Sequence, residues 1–171
     1  QNNLKASLEE LKAVDVDLYN DAEKEKYYRL YISAAKGVNQ KEDHLKGLVG
    51  YLSRFDSLTN MRQESFYGEL ESLYRSVESE TRQSLRSDEK TPRLMKGYLN
   101  YLESRLQLSV GEKVLADRYR EVIRDDYQDI SELQALINQV EERIEINSKI
   151  TPLTVGVILP LTGERASFGQ R

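Results

Sequence analysis

The side chains capable of chemistry are few and poorly matched. His44 is the only histidine among 171 residues, and there is no cysteine. Neither a histidine–cysteine pair nor a serine–histidine–acid relay has a second histidine in reserve. His44 follows Asp43 in the first turn of an expected helix, where a solvated surface histidine is the natural reading. Asp125-Asp126 and Glu141-Glu142 are the kind of carboxylate pair that acid–base catalysis or a hard cation needs. Neighbours on a helix point about 100° apart, so each pair reads as a solvated face. The glycines from Gly163 to Gly169 lack the spacing of a phosphate-binding or dinucleotide motif. These patterns assign no catalytic residue, no metal ligand and no cofactor, and the chain reads as a non-enzyme.

Aromatic chemistry is the exception. Eleven Tyr stand against three Phe and no Trp, a skew toward rings with a polar tip. Such rings suit half-buried positions between helices, and they suit contact surfaces. Tyr31, Tyr74, Tyr98 and Tyr119 lie on apolar stripes and read as core. Tyr28, Tyr67 and Tyr101 fall off the stripes and are the candidates for partner contact.

The elements that position these residues are helical. Leu4, Leu8, Leu11, Val14 and Leu18 fall at spacings of four and three, one stripe on a helix. Asp21 can cap the next helix, with Tyr27, Tyr31, Ala34, Ala35 and Val38 on one face. Asn39 with Glu42 has the form of a capping box ahead of Leu45, Leu48, Val49, Leu52 and Phe55. Asn60 with Gln63 repeats it before Phe66, Leu70, Leu73, Tyr74 and Val77, in a helix that can run on to Leu85. Thr91-Pro92 is a start signal before Met95, Tyr98, Leu99, Leu102 and Leu106. Ser109 with Glu112 precedes Leu115, Tyr119, Val122 and Ile123. Asp129 or Ser131 opens the last helix, carrying Leu133, Leu136, Ile137, Val140 and Ile144.

About seven amphipathic helices on short turns imply antiparallel hairpins, since none can bury its stripe alone. The run from Leu115 through Tyr127 resembles the second helix of a tetratricopeptide repeat, with Gln128 where a Pro usually follows. A degenerate tetratricopeptide-like array is therefore expected over an irregular bundle. Gly47, Gly50, Gly68 and Gly97 fall inside predicted helices, each at a cost of about 1 kcal/mol relative to Ala. Close helix–helix approach is the expected reason.

At the C-terminal end the pattern changes. Val155-Gly156-Val157-Ile158-Leu159-Pro160-Leu161-Thr162-Gly163 is a short apolar run closed by Pro and Gly, the pattern of a buried parallel strand. With Ala166 and the Phe168-Gly169-Gln170 triplet, it resembles the opening of type I periplasmic ligand-binding domains. A helical region ahead of such a domain looks like the penicillin-binding-protein activator lipoproteins. The resemblance implies an all-α domain over residues 1–150 and, over 151–171, the first strand of a truncated α/β domain. It also implies ligand contacts at Thr162, Gly163 and Ser167, incomplete without the rest of that domain. An orphan strand of this kind is expected to be disordered, to lie against the helices, or to pair with another copy.

Composition bounds the function. The net charge is -4 with both signs mixed and 32% charged residues, unlike the basic excess of a nucleic-acid surface. No apolar run approaches the roughly 20 residues that cross a bilayer. Any export signal is expected to have been removed. The resemblance implies a periplasmic protein, tethered to the outer membrane by a lipid anchor in full length, whose helices dock an envelope protein such as a peptidoglycan synthase. The alternatives are a helical extension on the substrate-binding component of an amino-acid-type uptake system, and a spacer between membrane and binding domain.

Overall fold

The computed structural model describes residues 2–149. Among them are nine α-helices, and the class is all-α. Residues Gln1–Asn138 make one compact unit, and Gln139–Arg171 a second. The strand expected at 154–161, with Thr162, Gly163 and Ser167, lies outside the described residues.

Helix α1 (Asn2–Lys12) stops earlier than its stripe promised. Asp15 accepts from the Asp17 amide and starts a single 3-10 turn, Val16–Leu18, which turns Leu18 out to 81% exposure. A side-chain cap thus overrides the apolar spacing. Helix α2 (Asp21–Gly37) opens on a capping box, with Asn20 accepting from the Glu23 amide and Glu23 accepting from the Asn20 amide. The cap lies one residue ahead of the expected Asp21. Asn39 does not cap helix α3 (Lys41–Leu52) either. It adopts a left-handed φ of 58° to end α2, where the Gln40 amide reaches back to the Ala35 carbonyl.

The helix expected to run from about Asn60 to Leu85 is three shorter ones: α4 (Leu58–Gln63), α5 (Tyr67–Tyr74) and α6 (Ser79–Ser87). Glu64 and Glu78 are extended and break the run, and Ser57, not Asn60, caps α4. Glu132 assists from far along the chain, accepting from the Leu58 and Thr59 amides at 2.9 and 3.1 Å. Helix α7 (Arg93–Ser109) has Pro92 at its cap and no side-chain capping bond. Ser109 closes α7 instead of capping helix α8 (Lys113–Asp126), and Gly111 makes the turn at φ 88°. Helix α9 is Ser131–Lys149.

Neighbouring helices form antiparallel hairpins. Along α2 and α3, Tyr31 meets Asp43, Arg29 meets Tyr51, and Glu25 meets Arg54 just past the helix end. In α1 and α2, Leu11 meets Tyr27 and Leu4 meets Gly37. Along α7 and α8, the Ser104 hydroxyl donates to the Ala116 carbonyl at 3.0 Å. Glycines allow close approach of α3 to α2 and of α7 to α9. A Cβ at Gly50 would run into the Tyr28 ring, and one at Gly97 into Leu133. Gly47 is less tight, with Ile32 and Tyr31 carbons 2.9 Å from a Cβ position, whereas Gly68 has nothing within 4 Å.

Most of the stripes are core, but on α8 Leu115 and Val122 are exposed and Tyr119 is half-buried, and the face turned inward is Ala116, Arg120 and Ile123. Leu8, Tyr31, Ala34 and Ala35 pack together, with Leu11, Tyr27 and Val38 against them. Leu45, Leu48, Leu52, Leu58, Leu70, Met95 and Leu99 are almost fully buried. No helix among the described residues is long and apolar enough to cross a membrane.

Candidate functional site

The three tyrosines singled out for partner contact fall into two clusters. Tyr28 is half-buried beside Tyr27, ring centres 5.1 Å apart and edge-to-face, with Tyr19 and Tyr31 on the other sides of Tyr27. Tyr67 and Tyr101 meet at a third ring. Tyr98 lies 5.5 Å from Tyr67 and 5.9 Å from Tyr101, stacked on both. Tyr67 is half-buried and accepts a bond from Arg62, but Tyr101 is buried and offers a partner little surface. The Arg105 guanidinium covers its ring at 5.6 Å.

Hydroxyls in the core find partners, as their burial demands. The Tyr98 hydroxyl donates to Glu71 at 2.8 Å, and the Tyr27 hydroxyl donates at 3.0 Å to the Leu11 carbonyl, which also accepts from the Val14 amide. Burial pushes the Tyr27 hydroxyl up to about 12, with Tyr28 and Tyr19 adding to it. Tyr51, which lay on no expected stripe, is a hub. It accepts from Arg29 at 2.6 Å and donates to Glu64 at 3.0 Å, while Arg54 stacks 4.4 Å from its ring centre.

The titratable groups settle into structural roles. His44 is not the solvated residue its position promised. It is buried, because α5 covers the first turn of α3 and brings Glu69 to 3.4 Å from Nε2, too poorly aligned for a hydrogen bond. Burial pushes its imidazole below the ordinary value, the Glu69 charge opposing and the Lys36 charge adding. Neutral at pH 7 and facing no nucleophile, it is a core residue.

Glu103 on α7 is the most deeply buried carboxylate described, at 1% exposure. Oε2 accepts from the Tyr74 hydroxyl at 2.8 Å, Arg82 Nε at 3.0 Å and Arg86 Nη1 at 2.5 Å, and Oε1 accepts from Gln107 at 2.8 Å. Burial alone would raise its pKa, but the Arg82 and Gln107 bonds, the Arg86 charge and the Tyr74 bond outweigh it. The carboxyl is held below the usual range. A carboxylate so fully satisfied is a poor proton acceptor, and the cluster reads as a brace tying α5, α6 and α7. Asp125 and Asp126 are exposed, and no group of three or more possible metal ligands occurs among the described residues.

An open apolar surface lies on the first hairpin. Leu4, Leu11 and Val14 of the α1 side and Leu30 and Ala34 of α2 line a shallow apolar groove of about 460 Å³, with Ser7, Glu10 and Ser33 at its polar edge. Leu4 is 41% and Leu30 61% exposed. Leu4 and Leu11 belong to the stripe expected in the core, and Leu30 lies on no expected stripe. The signal available was Leu30 itself, an apolar residue off the α2 stripe. None of the known protein families, curated proteins or solved structures compared with this chain matches it. The site therefore rests on its own chemistry, apolar side chains with polar edges.

Proposed function

We propose that this chain is a non-catalytic protein-interaction module, the helical part of a cell-envelope accessory lipoprotein that docks a partner such as a peptidoglycan synthase. Its helices would serve as stacked tetratricopeptide-like hairpins ahead of a periplasmic-binding-protein-like domain. Periplasmic location and an outer-membrane lipid anchor belong to the same proposal, which takes them from the resemblance of residues 155–170. The observation that supports docking is the apolar groove of α1 and α2, with Leu4 and Leu30 left in water. Exposed apolar side chains gathered in a groove are what an amphipathic helix of a partner covers.

The test is interferometry with the purified periplasmic region of a peptidoglycan synthase. The expected result is saturable binding at micromolar concentration. Each leucine is worth about 1.5–3 kcal/mol when fully buried, so Leu4→Ser with Leu30→Ser weakens binding by at least about tenfold. Absence of binding up to about 100 μM, or equal binding by the double variant, overturns the proposal.

A further inference from the structure

A second opening lies between α6 and α8, away from the α1–α2 groove. It is a cleft of about 450 Å³ with Asn100 of α7 at its base, Gln83 and Arg86 on the α6 wall, and Tyr119, Val122 and Tyr127 opposite. Charge balance makes it more than a crevice. Arg82 and Arg86, with side chains 11% and 10% exposed, share the single carboxylate of Glu103. Glu103 is their only ion-pair partner among the described residues, so this buried cluster carries one positive charge in excess. A desolvated guanidinium without a counter-charge is costly, and an anion in contact with it relieves the cost.

The donors of Arg86 show where the anion goes. Nη1 is used twice, by Tyr74 and Glu103, and one Nη2 hydrogen goes to the Tyr119 hydroxyl at 3.4 Å. The Nε hydrogen and the second Nη2 hydrogen have no protein acceptor among the described residues. Nε and Nη2 flank one edge of the planar fork, the edge that can take both oxygens of a carboxylate. The Tyr119 hydroxyl, already accepting from Arg86, has its own hydrogen to give. Beyond this polar end, Val122 offers apolar surface at 37% exposure, and Tyr127, 8% exposed, contributes only an edge to the wall.

We propose that the α6–α8 cleft binds a small carboxylate with a short apolar or aromatic body, its carboxylate on the free edge of Arg86 and its body against Val122 and Tyr127. The local excess is one charge, which fits a carboxylate monoanion better than a phosphate dianion. The site is separate from the docking groove and goes beyond that reading.

The test is a titration of the full chain at constant ionic strength with 3-phenylpropionate, 3-phenylpropionamide and inorganic phosphate, followed by the arginine Nε–Hε resonances. A saturable shift of one such resonance is expected with the carboxylate, none with the amide, and binding of phosphate at least about tenfold weaker. Gln83→Glu sets a carboxylate at the exposed mouth without touching the buried cluster, and is expected to weaken the carboxylate about tenfold or more. Tyr119→Phe keeps the ring, removes the hydroxyl donor, and weakens binding severalfold. Equal shifts from the amide, tighter binding of phosphate, or no effect of Gln83→Glu would overturn the assignment.

Discussion

Removing Glu103 probes the interior most severely. Its side chain is 2% exposed, and the two guanidiniums it serves are nearly as hidden. Glu103→Ala leaves both arginines buried with no counter-charge and strips the Tyr74 hydroxyl of its shorter acceptor, leaving the Leu99 carbonyl at 3.3 Å. Breaking a buried ion pair from one side costs about 3–5 kcal/mol, a large share of the roughly 5–15 kcal/mol that holds a domain folded. Glu103→Gln keeps the shape and one acceptor oxygen but loses the charge-assisted bonds, at about 1.5–3 kcal/mol. Replacing all three members with Arg82→Met, Arg86→Met and Glu103→Leu removes the uncompensated charge together with its partner. That variant should return to within about 1 kcal/mol of the parent. The assay is urea unfolding followed by far-ultraviolet circular dichroism, comparing midpoints at constant slope. A loss below about 1 kcal/mol for Glu103→Ala, or a triple variant no better than the single, would refute the buried brace. The carboxyl titrates below its usual range in the folded chain, and the unfolded chain takes up that proton near about pH 4.3. Its stabilisation is therefore complete above about pH 4.3 and is lost as pH falls through the folded value.

Four further outcomes are open to the same methods. His44, held neutral by burial, binds its proton more weakly folded than unfolded, so stability should fall as pH drops below about 6.5, and His44→Leu should flatten that slope; an unchanged slope contradicts its burial. Gly50→Ala forces a Cβ into the Tyr28 ring and should destabilise by about 1–3 kcal/mol. Gly68→Ala meets open space and should stabilise by up to about 1 kcal/mol, and equal effects at the two positions would discount the close packing of α2 on α3. Glu132→Ala orphans the Leu58 and Thr59 amides at the start of α4 and should cost about 1–2 kcal/mol, against no cost if the long-range cap is idle.

The parts of the fold legible in sequence were those carried by local periodicity. The stripes Leu45–Leu48–Leu52 and Met95–Leu99–Leu102 are core, and Tyr31, Tyr74 and Tyr98 are as buried as their positions on the stripes required. What escaped was set by partners distant in the chain or by competing caps. His44 sits where a helix start usually meets water, and only the packing of α5 onto α3 covers it. Glu103 has an identity that normally means surface, and its burial depends on Arg82 and Arg86 from another helix. Leu18 continues a perfect stripe, but Asp15 captures the Asp17 amide and ends the helix first. Asn39 fits a capping box and equally fits a left-handed helix end, and the second geometry prevailed. Of the candidate site, Tyr28 and Tyr67 remain half-buried, Tyr101 is buried, and the groove's exposed Leu30 carried no periodic signal.

Hydrogen–deuterium exchange on the full chain, with and without a purified peptidoglycan synthase, tests the docking account most directly. The account predicts slowed exchange confined to α1 and α2, around Leu4, Leu11 and Leu30, with α7 and α8 unchanged. Exchange that is the same with and without the synthase, or protection that avoids the first hairpin, would contradict it.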